Sequence, residues 1–350
     1  MGLKSSAIEL LTQLIQIPSF SGEEDKTGDL IQSWLQFHKV ETNRNENNIW
    51  AVNKYFDADK PSILLNSHHD TVKPNKAYTR DPFQASIEEG RLYGLGSNDA
   101  GGCLVSLLAT FVHFYNQKDL KYNIVMVASA EEEAIRNKGL ESMLPLIPPI
   151  DFAIVGEPTL LDLAVAEKGL LVLDCYANGV PGHAAHIKEN MAIYKAVRDI
   201  SWIENYVFDK VSEVLGPVKM TVTQINAGKQ HNVVPAECHF VIDVRVNDKY
   251  TNLEVVDLIS KHLESRVVPR STNLNSSSIA LNHPIVNAGI SLGHQTYGSP
   301  TMSDQAILSC QSLKLGPGDS LRSHSADEFI NVQEIEDGID FYKEIITKII

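Results

Sequence analysis

The sequence has few cysteines, no long apolar run and no signal-peptide pattern. Its 350 residues include four cysteines, Cys103, Cys175, Cys238 and Cys310, which lie far apart and form no CxxC pair. This spacing argues against a cysteine metal site or a disulfide framework and indicates reduced, mostly buried thiols. No apolar segment is long enough to span a bilayer, and no apolar signal region follows the first residues. We therefore expect a cytoplasmic protein without a membrane partner.

Basic residues are also in the minority. The chain contains 30 Lys and Arg against 44 Asp and Glu, and its formal net charge is -14 at pH 7. Nucleic acids and acidic membranes repel such a chain, so we expect neither as its main ligand. Hydrophobic residues make up 43% of the sequence and charged residues 21%, which argues against disorder. The length predicts one large or two ordinary domains.

Apolar strand-like segments alternate with helical patterns in the first half of the chain. The predicted strands are 49–53, 63–67, 123–130 and 152–155, and the predicted helices begin near Ser6, Glu23 and Gly102. Ser6 and Glu9 have the spacing of a capping box, which predicts that the first helix begins there. Nearly continuous apolar strands are typical of sheets covered on both faces. We therefore predict an α/β fold with a helix-covered, mostly parallel sheet.

The pattern changes near Lys168. Strand, helix, strand, strand, helix and strand are predicted at 170–177, 189–206, 218–225, 238–246, 253–263 and 266–269. This βαββαβ order is typical of a ferredoxin-like unit. The polar stretch 271–278 resembles a linker, after which α/β character returns. We therefore predict a domain formed by 1–167 and 276–350, with a second domain, 168–275, inserted into it.

Residue types that bind metals follow several predicted strands. His68 and Asp70 follow strand 63–67 and point to one face, so His68 could bind a metal while Asp70 orients its ring. Glu131-Glu132-Glu133 follows strand 123–130, and Glu157 follows strand 152–155. Taken singly, each is more typical of a polar strand end or a solvated loop than of a metal site. In α/β sheets, however, ligands bind at the carboxyl ends of the strands.

A glycine-rich stretch at 94–102 and a late histidine complete the pattern. A dinucleotide-binding GxGxxG loop would need glycine where Asp99 stands, so that interpretation fails. A glycine-rich turn before a helix can instead place the Asp99 carboxylate in a cleft. His324, taken alone, is typical of an ordinary surface histidine.

In order, the motifs are HxD, GxGxxD, paired glutamates, Gly156-Glu157-Pro158-Thr159 and a late histidine. This order resembles the di-zinc family of acetylornithine deacetylases, succinyl-diaminopimelate desuccinylases, aminoacylases and glutamate carboxypeptidases. The resemblance covers nearly the whole chain. Segments 299–305 and 316–320 resemble the acetylornithine and acetyl-lysine deacetylase branch. The resemblance implies that 1–167 and 276–350 form the catalytic di-zinc domain and that 168–275 is a dimerisation or lid domain.

The resemblance implies a role for each motif residue. One zinc ion would be bound by His68 and Glu157, the other by Glu133 and His324, and both by a bridging Asp99. Asp70 would orient His68, and Glu132 would be the general base. A cis peptide bond is implied after Asp99. Cobalt or manganese could replace zinc, because nitrogen and oxygen ligands also suit those ions.

One departure from the family pattern concerns the residues after the bridging aspartate. Relatives usually read Asp-Met-Lys-Gly-Gly, whereas this chain reads Asp99-Ala100-Gly101-Gly102-Cys103 and lacks the lysine. Because that lysine is not a metal ligand in the family, the predicted zinc site is unaffected. Whatever the lysine supports in relatives must be done differently here.

The inserted domain contributes three further candidates. The resemblance implies that His183 reaches the active site of the partner subunit in a homodimer, and that Asn232 and Arg245 face the substrate. Arg245 could hold a carboxylate with two hydrogen bonds. Without the resemblance, His183 would be an ordinary loop histidine and Arg245 would form an ion pair with Asp243 or Glu237.

The resemblance implies metal-dependent hydrolysis of the amide bond of an N-acyl amino acid. The favoured substrate is N-acetyl-L-ornithine, which would give acetate and ornithine for arginine biosynthesis. N-acetylcitrulline, N-succinylornithine and N-acetyl-lysine are alternatives. A di-zinc dipeptidase or aminopeptidase would need a group that holds a free α-amino group, for which the sequence offers no clear candidate. A non-catalytic binding protein is disfavoured by the full ligand set and by Glu132.

Overall fold

The computed structural model describes residues 2–134 and 138–350. These residues form eight α-helices and eighteen strands. The helices are α1 (Leu3–Ile15), α2 (Asp25–Phe37), α3 (Gly102–Phe114), α4 (Leu140–Met143), α5 (Ala192–Asn205), α6 (Asn252–His262), α7 (Pro284–Ser291) and α8 (Val332–Thr347). The strands are β1 (Asn43–Asn45), β2 (Asn48–Val52), β3 (Ser62–His68), β4 (Ser86–Glu88), β5 (Arg91–Tyr93), β6 (Asn123–Ser129), β7 (Phe152–Val155), β8 (Leu163–Glu167), β9 (Gly169–Asn178), β10 (Gly182–His183), β11 (Lys219–Ala227), β12 (Val233–Val234), β13 (Glu237–Val246), β14 (Arg266–Pro269), β15 (Ser277–Ser278), β16 (Thr296–Ser299), β17 (Gln311–Lys314) and β18 (Phe329–Asn331).

The chain divides into two compact units, of which the larger comprises Met1–Val165, Ser278–Tyr297 and Ser303–Ile350. Its central sheet runs in the order β1-β2-β6-β3-β7-β17-β8. The four inner strands, β6, β3, β7 and β17, are parallel, and the outer pairs are antiparallel. The predicted α/β fold with a mostly parallel sheet is therefore confirmed.

The core of the larger unit explains why its strands lack alternation. Every residue of β3 and of β6 is buried, because helices cover both faces of the sheet. The central helix α3 packs against α1, α8 and β3, and only Val112 and His113 among its residues escape full burial. Each Leu or Phe that α3 buries contributes about 1.5–3 kcal/mol of transfer free energy. The apolar composition of α3 thus packs this helix tightly against the central sheet.

The first helix begins earlier than the sequence pattern predicts. Ser6 donates its backbone N–H to the carbonyl oxygen of Gly2 at 3.0 Å, so α1 is already regular at Leu3. The hydroxyl of Ser6 instead accepts a hydrogen bond from the Trp34 indole at 2.9 Å. The capping-box interpretation of Ser6 was wrong, because the side chain is used in packing against α2.

The smaller unit comprises Ala166–Ser277 and Gly298–Met302. Its antiparallel sheet runs in the order β11-β13-β9-β14, and α5 and α6 complete the βαββαβ sequence of elements. Alternate residues of β9, from Leu171 to Ala177, are buried in the core that includes residues of both helices. The predicted ferredoxin-like topology is confirmed, whereas the assignment of catalysis to 1–167 and 276–350 and of dimerisation to 168–275 stays a prediction.

None of the helices that the structure describes is both long and apolar enough to cross a membrane.

Candidate metal centre

Three strand ends meet at one edge of the central sheet. His68 is the last residue of β3, the glutamate run 131–133 follows β6, and Glu157 follows β7. Since β3 pairs in parallel with both β6 and β7, their carboxyl ends share one edge. The structure thus brings together residues that are far apart in the sequence.

Asp99 lies between two histidines at this edge. One of its carboxylate oxygens is 3.3 Å from His68 Nε2, and the other is 3.6 Å from His324 Nε2. His68 Nε2 is also 3.8 Å from Glu157 Oε1, while His324 Nε2 is 3.0 Å from Glu133 Oε1. Ligand atoms of His68, Asp99 and Glu133 lie within 4.8 Å of one another. The side chains therefore form two histidine–carboxylate pairs that share one aspartate.

A kinked turn presents the Asp99 carboxylate. Residues Ser97–Gly101 form a single π-helical turn, and the Asp99–Ala100 peptide bond is cis. Gly96, which precedes the turn, has φ 74°, a conformation that glycine adopts without strain. The glycine-rich sequence is thus used for a tight backbone turn that aims a carboxylate.

Asp70 holds two parts of the centre at once. Its backbone carbonyl oxygen is 2.9 Å from His68 Nδ1, and its Oδ1 atom is 3.4 Å from the same nitrogen. Its carboxylate also accepts hydrogen bonds from the backbone N–H groups of Glu132 and Glu133, both at 3.1 Å. A further hydrogen bond comes from the Ser21 hydroxyl at 2.7 Å. Asp70 therefore orients the histidine and fixes the start of the glutamate turn.

A second buried carboxylate, Glu24, completes the support of that turn. Fully buried, it accepts hydrogen bonds from the Glu131 N–H at 3.2 Å and from the Asn47 amide at 2.9 Å. The side chain of Glu131 accepts a hydrogen bond from the Lys138 N–H at 3.3 Å. Three successive amides, at 131, 132 and 133, are therefore held by two buried carboxylates. No sequence pattern marks Glu24 or Ser21 as supports. Glu24 binds a backbone amide, and Ser21 acts through Asp70, which in turn binds backbone amides.

Repulsion between carboxylates dominates the electrostatics of the centre. Burial and the neighbouring Asp99 charge raise the pKa of Glu157 to about 8. Burial, reinforced by the charges of Glu157, Asp304 and Glu133, raises the pKa of Glu132 well above its ordinary range. Nearby positive charge lowers the pKa of such carboxyl groups and favours their ionised form. The donor set of imidazole and carboxylate groups suits zinc, and two divalent cations would offset the crowded negative charge.

Both histidines hold protons more tightly than usual. A hydrogen bond to Glu133 raises the pKa of His324 to about 9. Burial opposes protonation of His68, but hydrogen bonds to Asp70 and Asp99 outweigh it and hold its pKa well above the usual value. In each case a carboxylate favours positive charge at a ring nitrogen, where a metal ion would compete with the proton.

The remaining candidates belong to the smaller unit. His183 on β10 pairs with Val233 on β12, and the Asn232 carbonyl oxygen accepts a hydrogen bond from the Ala184 N–H at 3.0 Å. His183 and Asn232 are therefore exposed neighbours at one small two-stranded sheet. Arg245 on β13 binds the Asp243 carboxylate through two nitrogens, at 2.8 and 3.1 Å. The roles in substrate binding and catalysis that the resemblance implies for these residues stay predictions.

The protein has a two-unit α/β fold. The histidine–carboxylate cluster at the edge of its central sheet has the side chains of a metallohydrolase. The sequence profile of peptidase family M20/M25/M40 matches residues 64–348, which is most of the chain. The protein therefore belongs to this family, whose members are metal-dependent amidohydrolases and peptidases.

Two curated relatives and one solved structure illustrate the range of the family. The chain is 26% identical over 275 residues to succinyl-diaminopimelate desuccinylase 2 of Ruegeria sp. (strain TM1040), with 73% of this chain and 69% of the relative covered. It is 28% identical over 358 aligned positions to the [LysW]-lysine/[LysW]-ornithine hydrolase of Sulfurisphaera tokodaii, with 97% and 95% covered. The fold resembles that of the Bacillus subtilis YXEP protein, a dinuclear metal-binding peptidase from the M20 family. The two share 17% identity at a TM-score of 0.74, with 98% of this chain and 97% of that chain covered.

Proposed function

We propose that this protein hydrolyses the amide bond of an N-acyl amino acid with the aid of two divalent cations, zinc by preference. The observation that carries the proposal is the position of Asp99 between two histidine–carboxylate pairs. Cobalt and manganese could substitute for zinc, because the donor atoms are nitrogen and oxygen.

The ligand set follows from the contacts at the sheet edge. His68 and Glu157 would hold one cation, Glu133 and His324 the other, and Asp99 both. When bound, the cations would polarise the scissile carbonyl group and lower the pKa of the attacking water. Every other step falls to side chains of this chain.

Glu132 is the residue best suited to move the proton. Its half-buried carboxyl group has a raised pKa, as a general base that later acts as an acid requires. Its backbone N–H is fixed by Asp70 at 3.1 Å, so the side chain starts from a defined position. Glu132 would take a proton from the attacking water and pass it to the nitrogen of the leaving amine.

The substrate side of the proposal rests on the motifs and on the relatives. The two curated relatives are named for succinyl-diaminopimelate and for lysine or ornithine joined to LysW, all of which yield an amino acid with a second amino group. We therefore place N-acetyl-L-ornithine first, giving acetate and ornithine for arginine biosynthesis. N-acetyl-lysine, N-succinylornithine and N-acetylcitrulline are the nearest alternatives, and Arg245 would hold the α-carboxylate.

We also propose a homodimer in which His183 completes the partner's site, with Asn232 beside it. Ile193, Tyr194 and Val197 expose apolar surface along α5, which supports an interface. Strand β11 pairs with β13 in the sheet of the smaller unit, and the sheet order places β11 at an edge open to further pairing. His183 would then donate a hydrogen bond to the developing oxyanion.

A metal assay combined with a substrate panel tests the proposal. Chelator-treated protein should lose activity and regain it with Zn²⁺, and the panel should contain the four N-acyl amino acids and unmodified dipeptides. Glu131→Ala is the matched control for Glu132→Ala, because the Glu131 carboxylate contacts the Lys138 amide. Full activity in metal-free protein, or turnover of dipeptides alone, would contradict the proposal.

A further inference from the structure

Four residues after His324, the same segment contains a buried carboxylate, Glu328. Glu328 is 2% exposed, and its side chain points toward the turn that carries Asp99 rather than toward solvent. Burying a carboxylate without partners is costly, so its contacts define its role.

Three backbone N–H groups of the Asp99 turn donate to Glu328. Its Oε1 atom accepts from Asn98 and Asp99, both at 2.9 Å, and its Oε2 atom accepts from Gly96 at 3.2 Å. A kinked turn leaves such amides without the partners that a regular helix would supply. One carboxylate therefore binds three amides in and just before the turn that presents the bridging aspartate.

The backbone around Glu328 is itself anchored. Its carbonyl oxygen accepts a hydrogen bond from the Gly94 N–H at 3.0 Å, and the following strand β18 pairs with β5. The preceding residue, Asp327, accepts hydrogen bonds from the N–H groups of Thr79 and Arg80 at 2.9 and 3.0 Å. Glu328 is thus a fixed point, and the turn is set relative to it.

From this geometry we propose that Glu328 is a positioning residue that sets the distance between the bridging Asp99 and the terminal ligand His324. Both ligands depend on the short segment 324–328. His324 belongs to this segment, and the backbone around Asp99 donates three hydrogen bonds to its Glu328 side chain. Loss of Glu328 would therefore impair the sharing of Asp99 between two cations more than it would impair binding of one. The inference rests on the proposed two-metal function.

A merely structural role is the competing explanation, and the chain offers a matched control. Asp199 in the smaller unit is a carboxylate of similar burial, 3% exposed, that accepts hydrogen bonds from the backbone N–H groups of Glu264 and Ser265 at 2.9 Å. These two partners follow α6 and are not among the proposed metal ligands. Asp199→Asn and Glu328→Gln therefore change the same chemistry in two places, only one of which supports a ligand turn.

The experiment measures zinc in the folded proteins, with Zn²⁺ and Co²⁺ as the only probes. Zinc per chain is determined after dialysis, the affinity for the second ion by competition with a chromophoric chelator, and the ligand field from the visible spectrum of the Co²⁺ form. Thermal unfolding of each variant is recorded in parallel. All measurements are made well below the unfolding temperature of the least stable variant.

We expect Glu328→Ala to bind the second Zn²⁺ about 10- to 100-fold more weakly than the wild type, the range for residues that orient metal ligands. Glu328→Gln should lose less, since its amide oxygen can still accept from Asn98 and Asp99 while its NH₂ group opposes Gly96. Asp199→Asn should keep two ions and an unchanged Co²⁺ spectrum. If Glu328→Ala fails to fold, Glu328→Gln alone decides the comparison.

Two results would overturn the inference: folded Glu328 variants that bind two ions with wild-type affinity and spectrum, or an equal loss of metal in Asp199→Asn. A wild-type protein that binds fewer than two ions would instead contradict the proposed function. The two failures are therefore distinguishable.

Discussion

Zinc binding should release protons from this protein at neutral pH. A metal ligand must be deprotonated before it binds, so every ligand that holds a proton at the working pH gives it up. His324 has a pKa of about 9, because of its hydrogen bond to Glu133, and Glu157 has a pKa of about 8, because of burial. The pKa of His68 lies well above its usual value. Glu157 and His324 are therefore expected to be mainly protonated at pH 7 before zinc binds.

The size of the effect follows from these pKa values. At pH 7, groups with pKa values of 8 and 9 are about 90% and 99% protonated, so Glu157 and His324 together should release about two protons. His68, whose pKa is also raised, should add to this number. Zinc competes with these protons, so its affinity should rise as the pH increases to about 9 and level off above the highest ligand pKa. Below pH 7 the affinity should fall steeply, because each bound ion must displace protons.

Calorimetric titration with Zn²⁺ in buffers of different ionisation enthalpy gives the number of protons released. His324→Ala should release about one proton fewer at pH 7 and should also bind fewer ions. Glu131→Ala is the control, since no ligand is removed. The reasoning would be refuted if zinc bound at pH 7 without proton release, or if its affinity fell between pH 7 and pH 9.

Three further predictions concern single side chains. Glu132→Ala should keep both metal ions and lose about 10²- to 10⁴-fold in kcat, whereas Glu133→Ala should lose metal; the reverse pattern would contradict this assignment of base and ligand. Co-expressed Glu132→Ala and His183→Ala subunits, each inactive alone, should regain activity as mixed dimers if His183 acts in trans, and heterodimers without activity would exclude that arrangement. Ser21→Ala removes the 2.7 Å hydrogen bond to Asp70 and should weaken zinc binding while costing about 1 kcal/mol of unfolding free energy, which chemical denaturation would measure. A Ser21→Ala protein with wild-type zinc affinity would show that Asp70 needs no such support.

Much of the fold could be predicted because continuous runs of apolar residues indicate buried strands. The strand predicted at 63–67 corresponds to β3 (Ser62–His68), and the one at 152–155 to β7 (Phe152–Val155). The closeness of His68 and Glu157 was predictable too, since β3 ends at His68, Glu157 follows β7, and the carboxyl ends of parallel strands share one edge. Because β3 lies between β6 and β7, the polar residues that follow these strands come together at this edge.

The supports of the centre could not be predicted in this way. Glu24 holds the amide of a residue 107 positions away, and Glu328 holds that of Asn98 across 230 positions. A backbone amide is the same in every residue other than proline, so the sequence does not mark which amide a distant carboxylate will find. The prediction for Ser6 failed for the opposite reason. The sequence contains a capping pattern there, but the hydroxyl accepts a hydrogen bond from Trp34 instead.

The missing lysine illustrates how such supports constrain the motif itself. Counted from Asp99, the lysine of relatives would fall at Gly101, where an added Cβ would lie 2.4 Å from the backbone oxygen of Gly96. That oxygen accepts a hydrogen bond from the Gly101 N–H at 3.0 Å within the turn, and a shift would disturb it. A side chain at 101 would thus disturb the turn that presents Asp99. A lysine from another element, the buried Lys314 at the end of β17, lowers the pKa of Glu157 against the effect of burial. The departure from the family pattern is therefore compatible with an intact centre.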